Sequence, residues 1–291
     1  MQSAKSLTTK EVARLCQVSD ATVKRWAEAG LLRSERTNGG HRRFRAEEIA
    51  RFQREIGLGA KQSCGDESAV RAGFEERCKK IQPNSDLFRV LIEGREEETA
   101  AVLISSFLRG ESLQQIFDDQ ICEAMRYVGD LWFTGEISVT DEHLATRTVL
   151  NAIQKLRGVV PAAESNGRLA ICCTIEGDLH ELQSHLVQIL LESAGWEVLN
   201  FGANTPLYSL AEEVLTNQPD LVCISAAILP DLERAARDFR DFRARISETN
   251  AALLIGGRGF ADEIVRQRFA ADFYADRFSQ VSEFAAGIIE N

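Results

Sequence analysis

The sequence predicts three domains: a small α+β head, an all-α four-helix bundle, and an α/β domain with a doubly wound parallel sheet. Two short helical patterns and a turn signal lie near the N-terminus, and amphipathic patterns fill the middle of the chain. Apolar runs then alternate with helical patterns from Leu169 onward. The expected boundaries are residues 1–56 for the head, 57–68 for a linker, 69–162 for the bundle and 167–291 for the α/β domain.

Charge is distributed unevenly along the 291 residues. The whole chain has 34 Lys and Arg against 44 Asp and Glu, and its net charge of −10 taken alone argues against nucleic-acid binding. Residues 1–54 nevertheless carry 12 basic and 6 acidic residues, so a positive head precedes a strongly negative body. This asymmetry predicts a separate module that binds a polyanion.

The head has the pattern of a helix-turn-helix, in which two short helices with apolar faces are joined by a turn at residues 17–19. In such a domain the second helix enters the major groove of DNA. It would offer four polar side chains there, namely Asp20, Thr22, Lys24 and Arg25.

A β-ribbon is predicted directly after the two helices. Asn38-Gly39-Gly40 is a hairpin turn signal, and the basic side chains around it are those of Arg36, His41, Arg42 and Arg43. Together with Gly40 and Phe44, these residues resemble the wing of the winged helix-turn-helix in MerR-type regulators. The resemblance implies that the wing arginines contact phosphates, while the recognition helix contacts bases or backbone. The alternative is a small basic helical domain that binds protein.

The middle of the chain predicts a linker and a helical bundle. Residues 57–68 are rich in Gly, Ser and polar groups and have no apolar periodicity. Amphipathic segments follow at residues 69–81, 85–94, 96–109, 112–131 and 140–158, without a sustained heptad. They favour a four-helix bundle over a coiled coil.

Within the predicted bundle, nine residues separate Trp132 from the adjacent pair Glu142 and His143. Taken alone, these are most simply a core tryptophan and two residues in the first turn of a helix.

The C-terminal region predicts a flavodoxin-like, Rossmann-like α/β domain. Continuous apolar runs at residues 169–174, 196–201, 221–225, 253–255 and 273–275 are typical of parallel strands buried on both faces. Helical patterns separate or follow them at residues 180–194, 206–217, 230–248, 260–268 and 277–289. In such sheets ligands bind at the carboxyl ends of the strands, near the switch point.

The loops at those strand ends resemble the cobalamin-binding domain of base-off/His-on type. Its pattern is D-x-H-x-x-G, 41 residues, S-x-L, 26 to 28 residues, and G-G. The positions that match it are Asp178, His180, Ser225, Gly256 and Gly257. Two positions depart from the pattern, because Gln183 replaces the first glycine and Ala227 replaces the leucine.

An imidazole is a good cobalt ligand, and a carboxylate two residues away can fix its tautomer. The resemblance therefore implies that His180 is the lower cobalt ligand of adenosylcobalamin or a related cobalamin, oriented by Asp178. It also implies that Ser225, Gly256 and Gly257 accommodate the nucleotide tail.

The order of head, bundle and cobalamin-type domain resembles the CarH/CarA group of MerR-type photoreceptor regulators, whose bundle carries W-x9-E-H. This implies that Trp132, Glu142 and His143 lie over the upper corrin face. In light-sensing members a histidine that captures cobalt after photolysis follows the tryptophan, and here that residue is Phe133. The resemblance also implies a homo-oligomer, dimer or tetramer, that assembles on double-stranded DNA with adenosylcobalamin in the dark.

The leading hypothesis is a transcriptional regulator, a repressor rather than an enzyme, whose oligomeric state and operator binding are controlled by a corrinoid sensor. The alternative, favoured by Gln183 and Phe133, is a regulator whose C-terminal domain has lost corrin and serves as an oligomerisation or partner-docking platform. A corrinoid methyl carrier would use the same histidine but has little use for a basic head.

The cysteine pattern and the N-terminus predict a cytoplasmic protein without a membrane span. The seven cysteines form no C-x-x-C pair, the N-terminus lacks an apolar signal region, and no apolar run reaches 18 residues. Cys172 and Cys173 lie in an apolar run, which favours core packing over a redox role.

Overall fold

The computed structural model describes residues 6–10, 12, 23–24, 26–27, 32–36, 42–45 and 86–289. The chain divides into two compact units, Met1–Asn84 with Arg126–Ala145, and Ser85–Met125 with Thr146–Asn291. Several predictions lie outside the described residues: the linker at residues 57–68, the helix at 69–81, and the side chains of Thr22, Arg25 and His41.

In the first unit, the head contains a three-stranded antiparallel sheet. Strands β1 (Ser6–Thr8), β2 (Glu35–Arg36) and β3 (Arg42–Arg45) lie in the order β1-β3-β2. Paired strands therefore flank the predicted turn, and β1, which the sequence pattern did not predict, joins them. A small core of fully buried side chains supports this sheet, namely Val12, Val23, Leu32 and Phe44.

Helices occupy most of residues 86–157, where amphipathic segments are predicted. Helix α1 spans Asp86–Ile92, α2 spans Glu96–Leu108, and α5 spans Val139–Arg157. Between them, α3 (Leu113–Gln115) continues through a π-helical turn (Ile116–Ile121) into α4 (Cys122–Thr134). A capping box between Ser112 and Gln115 fixes the start of this long helical stretch. No helix among the described residues is long and apolar enough to cross a membrane.

The C-terminal region is a five-stranded parallel sheet with the doubly wound order β5-β4-β6-β7-β8. The strands are β4 (Leu169–Thr174), β5 (Glu197–Asn200), β6 (Leu221–Ser225), β7 (Ala252–Gly256) and β8 (Phe273–Ala275). The helices are α6 (Leu182–Glu192), α7 (Leu207–Asn217), α8 (Leu232–Arg245), α9 (Glu263–Arg266) and α10 (Phe278–Ile289). The helix predicted at residues 260–268 is instead a 3-10 turn (Arg258–Phe260) followed by the short α9, because Asp262 caps a new helix there.

Three cysteines lie inside this sheet. Cys172, Cys173 and Cys223 are buried, and Cys172 lies opposite Cys223 on the neighbouring strand. A side-chain hydrogen bond with Cys223, together with burial, raises the pKa of the Cys172 thiol well above its ordinary value. Burial raises the pKa of Cys173 to about 12. These thiols are therefore unreactive core residues.

Two polar joints in the second unit tie the helical stretch to the α/β domain. Arg157 of α5 donates two hydrogen bonds, of 2.7 and 2.6 Å, to the Glu192 carboxylate at the end of α6. Asp118, in the π-helical turn, accepts hydrogen bonds from the backbone N–H groups of Phe278 (2.8 Å) and Ser279 (3.2 Å). Asp118 thus acts as an N-terminal cap for α10, supplied by a distant segment of the chain.

Candidate functional site

The candidate site lies at the carboxyl ends of β4 and β6, in the second unit. The chain leaves β4 for the edge strand β5, whereas β6 lies on the other side of β4. The connections after β4 and β6 therefore lead to opposite sides, which is the arrangement of a topological switch point, where ligands bind in such sheets. The structure brings Asp178 and His180, on the first loop, next to Ser225 and Ala227 at the end of β6.

Asp178 holds the two loops together. Its side chain is fully buried, and its Oδ1 accepts hydrogen bonds from His180 Nδ1 (2.5 Å) and from the His180 backbone N–H (3.0 Å). Its Oδ2 accepts hydrogen bonds from the backbone N–H groups of Ala227 (2.5 Å) and Ile228 (3.3 Å), which follow β6. One carboxylate therefore bridges loops that are 49 residues apart in sequence.

These contacts keep Asp178 ionised and set the tautomer of His180. Burial alone would raise the pKa of the Asp178 carboxyl, but the hydrogen bonds from His180 and Ala227 outweigh it and hold the pKa below its ordinary value. Because an ionised carboxylate only accepts, His180 Nδ1 is the donor, and in the neutral imidazole Nε2 then carries the lone pair. The imidazole is 47% exposed, so a ligand can reach the ring that carries Nε2.

Ser225 anchors the backbone beside His180. Its hydroxyl lies 3.0 Å from the hydroxyl of Thr174 at the end of β4 and donates to the Cys173 carbonyl at 3.3 Å. The Thr174 hydroxyl in turn donates to the His180 carbonyl at 3.3 Å. Sequence reasoning found Ser225 but missed Thr174, whose only signal is its place at the end of an apolar run.

The structure gives Gly256 and Gly257 a role in backbone packing. A Cβ on Gly256 would lie 2.6 Å from the Ala275 carbonyl oxygen. Gly257 has a φ of 101°, and a Cβ there would lie 2.5 Å from the Ala226 carbonyl oxygen. Both glycines are therefore needed to let β7 and its loop approach the neighbouring backbone.

The contribution of Ala227 to the site is its backbone N–H, which donates a hydrogen bond to Asp178 Oδ2. The departure from leucine at this position consequently leaves that hydrogen bond intact.

Apolar side chains on three successive loops are exposed at this edge of the sheet. Leu179 is 74% exposed after β4, Phe201 is 38% exposed after β5, and Ile228 is 46% exposed after β6. Sequence reasoning did not single them out. Apolar surface around one polar imidazole is typical of a site that takes a large, mostly apolar ligand.

Gln183, in the first turn of α6, is half-buried. Its Oε1 atom is buried and has no hydrogen-bond partner within the described structure. Buried polar atoms almost always have a partner, so this acceptor is an unusual feature of the region.

Trp132, Glu142 and His143 lie in the first unit. Trp132 is half-buried near the end of α4, and Glu142 and His143 occupy the first turn of α5, with 3.6 Å between Glu142 Oε2 and His143 Nε2. Ser138 and Asp141 cap this helix, since the Ser138 backbone N–H donates to Asp141 Oδ2 at 2.8 Å. The structure therefore brings Glu142 and His143 together on one helical turn.

The described part of the predicted DNA-binding surface is basic. Lys24 and Arg36 are exposed, whereas Arg42 and Arg43 are half-buried on β3. Arg36 lies opposite Arg42 in the strand register. These cations therefore occupy one antiparallel ribbon and the exposed part of the preceding helical segment.

Family comparison covers most of the chain. Residues 6–56 match a helix-turn-helix domain, and residues 84–157 and 168–277 each match a B12 binding domain. The chain combines an N-terminal helix-turn-helix domain with a two-part B12-binding region. The first B12 match corresponds to the helical stretch and the second to the parallel sheet.

Two of the curated relatives are named corrinoid proteins. Dimethylamine corrinoid protein 1 of Methanosarcina acetivorans is 23% identical over 168 residues, which cover 57% of this chain and 78% of that protein. The methanol–corrinoid protein of Methanosarcina barkeri is 22% identical over 222 residues, covering 74% of this chain and 84% of that one.

A solved structure, that of the Methanosarcina barkeri monomethylamine corrinoid protein, shares the fold. Its TM-score is 0.60 at 18% identity, and the match covers 70% of this chain and 97% of that chain. The two B12 binding domain matches support the corrinoid-binding part of the prediction, and the names of the three relatives do not address the regulatory part.

The residues present fit a corrinoid. No group of three or more His, Cys, Asp or Glu side chains that could hold a bare metal ion occurs in the described portion of the chain. One oriented imidazole does occur, and one imidazole is enough for a metal that arrives with its own ring of equatorial nitrogens. The exposed apolar side chains and the unpaired Gln183 oxygen offer further contacts for such a ring.

Proposed function

We propose that this chain is a DNA-binding transcriptional regulator, a MerR-type repressor, in which a corrinoid held by His180 controls oligomeric state and operator binding. The observation that carries the proposal is the combination, in one chain, of a helix-turn-helix match with the Asp178–His180 pair of a B12-binding region. The alternative without corrin is less well supported, because two B12-binding matches cover residues 84–157 and 168–277.

In this proposal His180 would hold the cobalt of the corrinoid through Nε2, and Asp178 orients the imidazole for that role. The exposed side chains of Leu179 and Ile228 would pack against apolar parts of the ring. When bound, adenosylcobalamin would supply a cobalt–carbon bond that light can break. Trp132, Glu142 and His143 are assigned to its upper side by resemblance, and Phe133 adds no ligand nitrogen there. A light response would therefore arise from loss of the upper group alone.

The head would bind DNA through a wing and a recognition helix. Arg36, Arg42 and Arg43 would neutralise phosphates, and Lys24 would contact the groove or its edge. One head of this size makes a small footprint, so two or more heads in a homo-oligomer are needed for tight operator binding. A corrinoid can control that assembly only if it binds the assembled state more tightly than the separated one.

A second candidate is a corrinoid protein that carries a methyl group for a separate methyltransferase, which the names of the relatives favour. A methyl-carrying function does not account for the basic helix-turn-helix head. We therefore propose that the chain is a regulator and not itself an enzyme.

The proposal is tested by mixing purified full-length protein with adenosylcobalamin in the dark, followed by desalting, a visible spectrum, size-exclusion chromatography and DNA binding to a pool of random duplexes. We expect retained corrin, a larger oligomer and selection of one DNA sequence. His180→Ala should change the cobalt spectrum and weaken retention, while His185→Ala, five residues later in α6, is the control histidine variant. Absence of retained corrin, or DNA binding and assembly that ignore it, would contradict the proposal.

A further inference from the structure

Gln183 begins the buried face of α6. Leu186 and Leu190, three and seven residues later, are on the same side of the helix and are buried. This face packs against β4, β5 and α10. Gln183 is thus a polar residue at the top of an otherwise apolar interface, three residues after His180 and at the same edge of the sheet.

The protein leaves the buried oxygen of Gln183 unsatisfied. Within the described residues Oε1 is buried without a partner, and two donors close to Gln183 in sequence already have other partners. The Ser184 hydroxyl donates to the Glu181 carbonyl at 2.8 Å, and the His180 backbone N–H donates to Asp178. An unpaired buried acceptor destabilises the protein that carries it, so an acceptor kept at a ligand-binding edge suggests a donor on the ligand.

We propose that Gln183 Oε1 accepts a hydrogen bond from the bound corrinoid and that Gln183 is a specificity-determining residue of the site. Corrinoids offer two kinds of donor, the N–H groups of carboxamides around the ring and the hydroxyl of the ribose in the nucleotide part. This inference rests on the proposed corrinoid binding at His180. It turns the departure from glycine at position 183 into an added polar contact.

The inference predicts opposite effects on the protein with and without ligand. Gln183→Leu keeps a similar volume and removes the unpaired oxygen, so the corrin-free protein should melt at the same or a higher temperature. The same change removes the ligand's acceptor, and the dissociation constant should rise about 5- to 30-fold. A purely structural glutamine would lose stability and affinity together.

The experiment titrates full-length protein with aquocobalamin and, separately, with cobinamide, which lacks the nucleotide, and follows the visible spectrum and thermal unfolding. Gln183→Met serves as a second variant in case Gln183→Leu does not fold. The matched control is Gln188→Leu on the same helix. Gln188 has its partners, since it donates to Glu192 at 2.8 Å and accepts from Asn200 at 3.0 Å. That control should lower stability and leave corrinoid affinity unchanged.

Weaker binding of both corrinoids by the Gln183 variants would support a ring carboxamide as the donor, and weaker binding of aquocobalamin alone would support the nucleotide. Unchanged or tighter binding of both by these variants overturns the inference while leaving corrinoid binding intact. Failure of the unmodified protein to bind either corrinoid overturns this inference and the proposed function together.

Discussion

Replacing Asp118 with alanine should loosen the C-terminal helix α10. Asp118 is 7% exposed and caps α10 through the backbone N–H groups of Phe278 and Ser279. Loss of an N-terminal cap costs about 0.5–2 kcal/mol, and loss of a charge at a helix N-terminus adds about 0.3–1 kcal/mol. A total of about 2 kcal/mol corresponds to roughly 30-fold more frequent local opening.

Hydrogen–deuterium exchange of a peptide covering residues 278–289 measures that opening directly. Asp118→Asn should exchange nearly as slowly as the unmodified protein, because asparagine also caps helices well. The matched control is Asp119→Ala: Asp119 pairs with Arg277 at 2.8 Å but is 61% exposed, so its loss should change exchange little. Equal exchange in Asp118→Ala and Asp119→Ala would refute the capping role.

Three further predictions concern the site and the head. The pKa of Asp178 is lowered by folding, so its contribution to stability is complete above about pH 4, where the unfolded carboxyl is ionised, and is lost as the pH falls through the lower folded value. The urea concentration at the midpoint of unfolding should therefore fall at acid pH. In Asp178→Asn this fall should be smaller, and a variant with the same pH profile as the unmodified protein would contradict the role of Asp178. Gly257→Ala should lower the free energy of unfolding by more than about 1 kcal/mol, because its Cβ would clash with the backbone. Gly110 has a φ of 94° and open space around it, so Gly110→Ala is the control for the effect of φ alone. Equal losses of stability in the two variants would exclude the clash. Alanine at Arg42 and Arg43 should weaken DNA binding and reduce the salt slope by about 1 for each lost phosphate contact, and an unchanged mobility shift would remove both from the DNA interface.

The sequence predicted the buried strands well and the irregular turns poorly. The bounds of β4 and β8 agree with the apolar runs, because a strand covered on both faces must be apolar throughout. The π-helical turn leaves no comparable mark, since it changes hydrogen bonding without interrupting the apolar residues of the helix. The three-residue strand β1 is too short to show a period of its own.

At the candidate site, the spacing of the sequence motif predicted the Asp178 carboxylate and the His180 imidazole but not the groups that hydrogen-bond to them. Asp178 and His180 stand two apart, which one sequence can show. The hydroxyl of Thr174 and the backbone N–H of Ala227 reach the site only because β4 and β6 are neighbours in the sheet. Partners of that kind depend on the fold, and a backbone amide has no side-chain identity to search for.

Asp178 also determines whether the conformational entropy of ordering the site is lost during folding or during ligand binding. Its four hydrogen bonds, all made within the protein, fix the His180 ring and the loop after β6. The entropy of ordering these groups is therefore lost during folding and not during ligand capture. A corrinoid would meet an imidazole that is already aligned, so little of its binding energy would be spent on reshaping the protein, and more would remain to favour one assembly state over another.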